Sequence, residues 1–250
     1  MVMADNEGNI IIVRNLSKRY GESMAVSDVS FSVKEGDIFG FLGHNGAGKT
    51  TTVNMLTTLL EPTRGSASIA GFDIITQPIT VRKNIGYVPE NVQLYENLTC
   101  FENLEFFAKI SGIEHPKVRI MEVLRLLNAA SYANKRVGEL SKGMRQRIGL
   151  AQAIIHKPKV LFLDEPTSGL DPMGVKELRD TIIALNEQEG ITIFMNTHLL
   201  SEVTKTCKTI GVLNHGKLIY NDTLKKTLNR FNNEDSLEKI YFSIERKNGN

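Results

Sequence analysis

Two runs of this chain combine residue types and spacings that carry a definite chemistry. Gly43-His44-Asn45-Gly46-Ala47-Gly48-Lys49-Thr50 sets glycine, glycine, lysine and threonine at the intervals of a phosphate-wrapping loop. Glycines let the backbone turn its N–H groups inward around a phosphate chain, and a helix that follows adds its positive N-terminal end. In such a loop Lys49 holds the β- and γ-phosphates and the Thr50 hydroxyl ligates Mg2+, with Thr51 next along the helix start. A glycine-rich turn that merely opens a helix gives no reason for lysine and threonine at this spacing.

The second run is Val160-Leu161-Phe162-Leu163-Asp164-Glu165, an apolar strand ending in two carboxylates. In that arrangement Asp164 serves Mg2+ and Glu165 is available to polarise an attacking water. Taken alone, the acid pair could equally be a helix N-cap, since carboxylates are favoured near the positive end of the helix dipole. The two runs together name a ligand class, a nucleoside polyphosphate with Mg2+, but leave GTPase, small-molecule kinase and ATPase open.

These residues need a scaffold, and the hydropathy pattern supplies one. Residues 38–42 are an apolar run that leads into the glycine loop, and residues 49–60 suit a helix ending before Pro62. Upstream, residues 10–13 are β-branched, and Val29, Phe31 and Val33 alternate with polar neighbours as in a half-buried strand. From about 97 to 156 the period becomes helical, with Phe101, Leu104 and Phe107 and then Met121, Leu124 and Leu127. Residues 160–163, 191–194 and 210–213 are short apolar runs between helical stretches, as expected of buried parallel strands. The pattern weakens from about residue 221, and 221–250 reads as an accessory tail.

Composition sets outer limits. At 250 residues, 41% hydrophobic and 23% charged, the chain has globular and not disordered composition. Its net charge of +2 gives no global field for nucleic acid or an anionic membrane. The longest uncharged run, residues 190–201, is too short to span a bilayer, and the first ten residues lack a basic start and a long apolar core, so neither a membrane span nor a secretory signal is expected. Cys100 and Cys207 are isolated, which fits a reducing compartment.

Leu140-Ser141-Lys142-Gly143-Met144-Arg145-Gln146-Arg147 resembles the signature sequence of ATP-binding-cassette (ABC) proteins. Other pieces follow in that family's order: Lys18-Arg19-Tyr20-Gly21, Ile85-Gly86-Tyr87-Val88-Pro89-Glu90, Ser168-Gly169-Leu170-Asp171 and Asn196-Thr197-His198. The resemblance spans roughly residues 10–220. It implies an α/β fold of the P-loop NTPase, RecA-like kind: a mostly parallel sheet, an N-terminal antiparallel β subdomain and an inserted helical subdomain. It implies one cassette over 1–250, with a catalytic lobe in 8–96 and 157–220, a helical subdomain in 97–156 and the tail in 221–250.

By the same likeness Tyr20 stacks on adenine, Glu90 offers an oxygen to Mg2+, Asp171 belongs to a loop linking two subunits, and His198 contacts the γ-phosphate and water. Ser141 can also be read physically: it can N-cap a helix to about residue 156, so that its hydroxyl and the first N–H groups, with Gly143, converge on an anion. In the family that anion is the γ-phosphate on the glycine loop of a second subunit, so that two ATP molecules lie within a head-to-tail dimer. One glycine loop and one signature make this chain half of such a machine.

Three positions depart from the commonest family pattern: Glu90 and Met144 stand where glutamine is usual, and Lys142 where glycine is usual. Between 135 and 147 five basic residues face Glu139 alone. This patch either attracts the partner's nucleotide or is a solvated helix face. The likeness is strongest to ATPases of bacterial and archaeal exporters. The expected function is therefore ATP hydrolysis in a homodimer or heterodimer that powers a separate integral membrane permease, at the cytoplasmic face of the membrane and without nucleic acid. The alternative, a soluble ABC ATPase acting on DNA or ribosomes, lacks the second cassette or long coiled coil that such proteins carry. A GTPase or kinase reading fails because no Asn-Lys-x-Asp base-reading motif appears and the signature would be left unexplained. Val92, Leu94, Tyr95 and Leu98, in 90–98, are the candidate permease contacts, or else packing of the helical insert.

Overall fold

The computed structural model describes residues 8–230, 239, 241 and 242. Along the chain, strands β1 (Asn9–Tyr20), β2 (Ser23–Lys34) and β3 (Ile38–Leu42) are followed by α1 (Lys49–Leu56). Strands β4 (Arg64–Ile69) and β5 (Phe72–Asp73), helix α2 (Pro78–Asn84) and β6 (Ile85–Val88) come next. Helices α3 (Cys100–Ile110), α4 (Pro116–Leu126) and α5 (Lys142–Ile154) then precede β7 (Val160–Asp164). The remainder alternates: α6 (Pro172–Glu189), β8 (Thr192–Thr197), α7 (Leu200–Thr206), β9 (Thr209–Asn214), β10 (Lys217–Thr223) and α8 (Leu224–Arg230).

Strands β2, β1, β4 and β5 form an antiparallel sheet in that order. The other sheet has the order β10-β9-β3-β8-β7-β6, parallel except for β10, which pairs antiparallel with β9. The expected α/β architecture, an antiparallel sheet beside a mostly parallel one with helices, is the one the chain adopts. Every residue of β3, β7 and β8 is buried, which is why these strands read as unbroken apolar runs and not as alternations. In β2 from Asp28 onward the outward residues are polar, and Val26, Val29, Phe31 and Val33 are buried, the pattern of a sheet with one wet face.

Each face of the parallel sheet closes its own core. Toward the antiparallel sheet, Phe194 is ringed by Phe31, Phe39, Phe41 and Phe162 at centroid distances of 5.2–6.0 Å. Toward the helices, Leu161, Leu163 and Ile193 pack with Leu104, Val123, Leu124, Ile148 and Leu150 of α3, α4 and α5. A capping box between Thr99 and Glu102 starts α3, Ser141 caps α5, and Asp171 caps α6 ahead of Pro172.

Three segments differ from the sequence reading. Helix α1 stops at Leu56, short of residue 60, because Thr58 is left-handed (φ 62°) and the Leu59 and Leu60 N–H groups turn back to the Asn54 carbonyl. The span 64–84, unread in the sequence, holds β4, β5 and α2; half of β4 is solvent-facing and its sequence, RGSASI, has little apolar signal. The weakening at residue 221 falls inside β10, and α8 follows with Leu224 and Thr227 buried. The remainder of the expected tail, beyond residues 239, 241 and 242, lies outside the described residues. Among the described residues no helix is long and apolar enough to cross a membrane.

Phe194→Ala removes the ring at the centre of this aromatic layer and is expected to cost about 3–5 kcal/mol in urea unfolding. A loss below about 1 kcal/mol would mean that the layer is not what holds the two sheets together.

Candidate nucleotide-binding site

The glycine loop leaves the C-terminal end of β3 and is backed by two other strands. A Cβ on Gly43 would stand 2.5 Å from the Leu213 carbonyl oxygen, and one on Gly48 2.4 Å from that of Ala25. Gly48 also takes φ 102°, so no side chain fits either point. Ala47 is buried, and its carbonyl accepts the Gly216 N–H at 2.9 Å, pinning the loop to the turn after β9. His44 folds back instead of entering the cavity: Nε2 meets Asn214 Oδ1 at 3.0 Å and Nδ1 the Asn45 carbonyl at 2.7 Å.

No side chain caps α1 at Gly48, so the positive end of that helix is left for an anion. Lys49 is 5% exposed, and its ammonium donates to the carbonyls of Gly43 at 2.8 Å and His44 at 3.2 Å. Burial lowers its pKa below the ordinary lysine value, against the opposing pull of Glu165 and Asp164. A cavity of about 350 Å³ is lined by Asn45, Gly46, Gly48, Lys49, Thr50, Thr51, Glu90, Glu165 and His198. Of the loop residues predicted to bind phosphate, Gly43, His44 and Ala47 therefore support the loop from behind, while the others face the cavity.

The parallel register delivers the acids to the same edge. Leu42 of β3 stands beside Thr197 of β8, and Asp164 of β7 beside Asn196. Asp164 is buried, and its Oδ1 accepts a hydrogen bond from Asn196 Nδ2. Desolvation raises the Asp164 pKa, the charges of Glu165 and Glu90 add to the rise, and Asn196 and Lys49 oppose it. On β6, burial of Tyr87 together with the nearby Asp164 carboxylate pushes its phenol up to about 12.

Glu165 is left-handed, φ 46°, and its N–H donates to the Asn196 carbonyl at 2.9 Å. Its Oε2 accepts from His198 Nδ1 at 2.9 Å and from Thr197 Oγ1 at 3.4 Å. Glu90 Oε1 accepts from Ser168 Oγ at 3.0 Å. Sequence reasoning singled out no role for Tyr87, Ser168, Asn196 or Thr197. Their partners lie on other strands or loops, and strand register could have found only the pairing of Asn196 with Asp164.

The donor set suits a hard divalent cation: the Thr50 hydroxyl and the Asp164 and Glu90 carboxylates all offer oxygen donors, and a buried aspartate gains most from a nearby cation. Among the described residues no three His, Cys, Asp or Glu side chains gather closely enough to hold a metal unaided. A cation here would need further oxygen donors, such as those of a phosphate chain, which is the usual coordination of Mg2+.

Ser141 and Asp171 belong to a different cavity. Ser141 Oγ accepts the Met144 N–H at 3.3 Å, and Asp171 Oδ1 accepts the Gly174 N–H at 2.7 Å. With Lys142, Gly143 and Gly169 they line a space of about 380 Å³ that shares no residue with the lining of the loop cavity. The Lys142 ammonium lies over the Gly169 turn, where a Cβ would meet it at 2.5 Å. The expected basic patch is partly neutralised, because Arg145 pairs with Glu96 at 3.0 Å and Arg147 with Glu177. Tyr20 ends β1 half-exposed, lines neither cavity, and carries the Lys18 ammonium 5.5 Å from its ring centroid.

Residues 26–168 match the family described as ABC transporter. The bacitracin transport ATP-binding protein BcrA of Bacillus licheniformis is 44% identical over 220 residues, covering 87% of this chain and 72% of the relative. The ABC transporter ATP-binding protein NatA of Bacillus subtilis (strain 168) is 35% identical over 94% of this chain and 97% of its own length. A solved ATP-binding subunit of an ABC transporter superposes with a TM-score of 0.83 at 31% identity, covering 94% of this chain and 99% of that one. With the glycine loop, the acid pair and the Ser141 helix all present in the matching fold, the chain belongs to the ABC transporter family of ATP-binding proteins.

Proposed function

We propose that the chain is the ATPase subunit of an exporter, hydrolysing ATP between two such subunits and driving a separate membrane permease from the cytoplasmic face. The observation that carries this reading is the separation of the two cavities. One chain has the phosphate loop with Glu90, Glu165 and His198 on one cavity, and Ser141, Gly143 and Asp171 on another. A second subunit, identical or related, that sets its Ser141 helix against this loop completes each site, and the mirror contact completes the other. The relatives named for bacitracin transport and linearmycin resistance support export as the direction.

In this mechanism the loop N–H groups and Lys49 hold the β- and γ-phosphates, with Tyr20 against the adenine. Thr50, Asp164 and Glu90 would hold Mg2+, which when bound would supply charge neutralisation at the phosphates. His198 donates from Nδ1 to one oxygen of Glu165, and Thr197 also approaches that oxygen, so the carboxylate is oriented from β8. Its free oxygen takes a proton from the attacking water as the γ-phosphoryl group passes to that water and ADP leaves. The left-handed backbone at Glu165 aims the side chain, a strained conformation of the kind found at reacting centres. ATP draws the two subunits together and hydrolysis lets them part, so the ligand shifts a two-state equilibrium.

The permease contact is the aromatic surface beside the segment 90–98. Val92 packs against Gly149, and Leu94 is partly buried on the helical core, so those two serve packing. Tyr95, 52% exposed, meets Phe106 edge-on at 5.3 Å, and Phe106 meets Phe107 in the same way. An exposed aromatic cluster of this kind fits a helix offered by a membrane subunit.

Three outcomes are expected. Glu165→Gln lowers steady-state turnover by about 10²- to 10⁴-fold with ATP binding intact, and near-normal hydrolysis would reject Glu165 as the base. In that background ATP yields a dimer by light scattering, which Ser141→Arg abolishes; a dimer that survives the substitution would reject the composite site. Tyr95→Cys crosslinks to the membrane subunit that co-purifies with the tagged chain, and failure to crosslink within an active complex would move the docking surface elsewhere.

A further inference from the structure

Within the fully buried strand β8, Asn196 spends its polarity on Asp164, as Thr197 does on Glu165. Its side chain is 0% exposed, in a run otherwise composed of Ile193, Phe194 and Met195 up to Thr197. Its Nδ2 donates to Asp164 Oδ1, and its backbone carbonyl takes the Glu165 N–H at 2.9 Å. The amide is oriented by chemistry, because a carboxylate accepts from NH2 and repels the amide oxygen. In that orientation Oδ1 is left buried with no hydrogen-bond partner among the described residues. An unmet buried acceptor costs stability, so an aliphatic residue would serve this strand better as packing. What the amide secures instead is the direction of the Asp164 carboxylate, which sits across the register pair in the neighbouring strand.

We infer that Asn196 is a positioning residue for the cation: its amide fixes Asp164 in the rotamer that presents the other carboxylate oxygen to Mg2+, and its carbonyl fixes the adjoining Glu165 backbone. The inference rests on the proposed role of Asp164 as a cation ligand. Partners of this outer kind orient the ligand and raise its affinity, and their removal typically costs 10- to 100-fold in metal binding. Asn196 itself touches neither nucleotide nor reacting atoms in this scheme.

The test measures the affinity of the full chain for the β,γ-imido analogue of ATP twice, with Mn2+ as the metal probe and in EDTA. The ratio of the two dissociation constants is the gain due to metal. Asn196→Leu and Asn196→Val both remove the donor, and the second keeps a β-branched residue for the strand, so a folding defect in one leaves the other to decide. Both are expected to fold, as read by thermal unfolding, to bind the analogue in EDTA like the wild type, and to lose about tenfold or more of the metal gain. Wild type without any metal gain would overturn the role of Asp164 itself. A wild-type gain that both variants retain within about twofold would overturn the inference about Asn196 alone. An equal loss in EDTA, or failure of both variants to fold, would overturn it too, since either marks a structural residue.

Discussion

The site depends first on the parallel pairing of β3, β8 and β7. That register puts the end of β3, where the glycine loop begins, beside Thr197, and it puts Asp164 beside Asn196. A shift of one residue would turn every side chain to the opposite face and carry Asp164 away from the loop. The register is held by burial on both faces: the Phe194 cluster on one side and the Leu161, Leu163 and Ile193 layer on the other. The polar end of the sheet is thus positioned by its least polar part, a division seen wherever ligands bind at the carboxyl edge of parallel strands.

Helix termini supply the second ordering principle. The N-terminus of α1 carries no side-chain cap and opens on the loop cavity, whereas those of α5 and α6 are capped by Ser141 and Asp171 and open on the other. Two cavities at helix N-termini therefore exist on one chain without sharing a lining residue. Between them runs the turn 165–171, which starts at Glu165, touches Glu90 through Ser168, lies under Lys142 at Gly169 and ends in the Asp171 cap.

Much of this was legible in the sequence, for reasons that can be named. β3, β7 and β8 announce themselves as apolar runs because they are buried on both faces, and Ser141 reads as a cap from local chemistry alone, whereas the Asp171 cap emerged only with the structure. β4 and β10 did not, because their exposed residues break any period. The end of α1 was overestimated because nothing in Thr57-Thr58 foretells a left-handed turn. Among the site residues, the sequence assigned roles to the polar residues of the motifs and none to the residues that hold them, even where, as with Tyr87 and Asn196, these lie within a motif run. Asn196 and Tyr87 reach Asp164 from adjacent strands, and Gly216 reaches Ala47 from the β9–β10 turn, relations that exist only after the sheet has formed.

The separation of the two cavities also has a consequence in mass action. If each site is completed by another copy or relative, turnover per chain in free solution rises with protein concentration and vanishes on dilution, whatever the ATP level. Two subunits docked on one permease escape that limit, because tethering replaces bulk concentration with an effective one on the order of millimolar. The membrane partner then acts as an activator before any cargo is moved, simply by holding two half-sites within reach of each other.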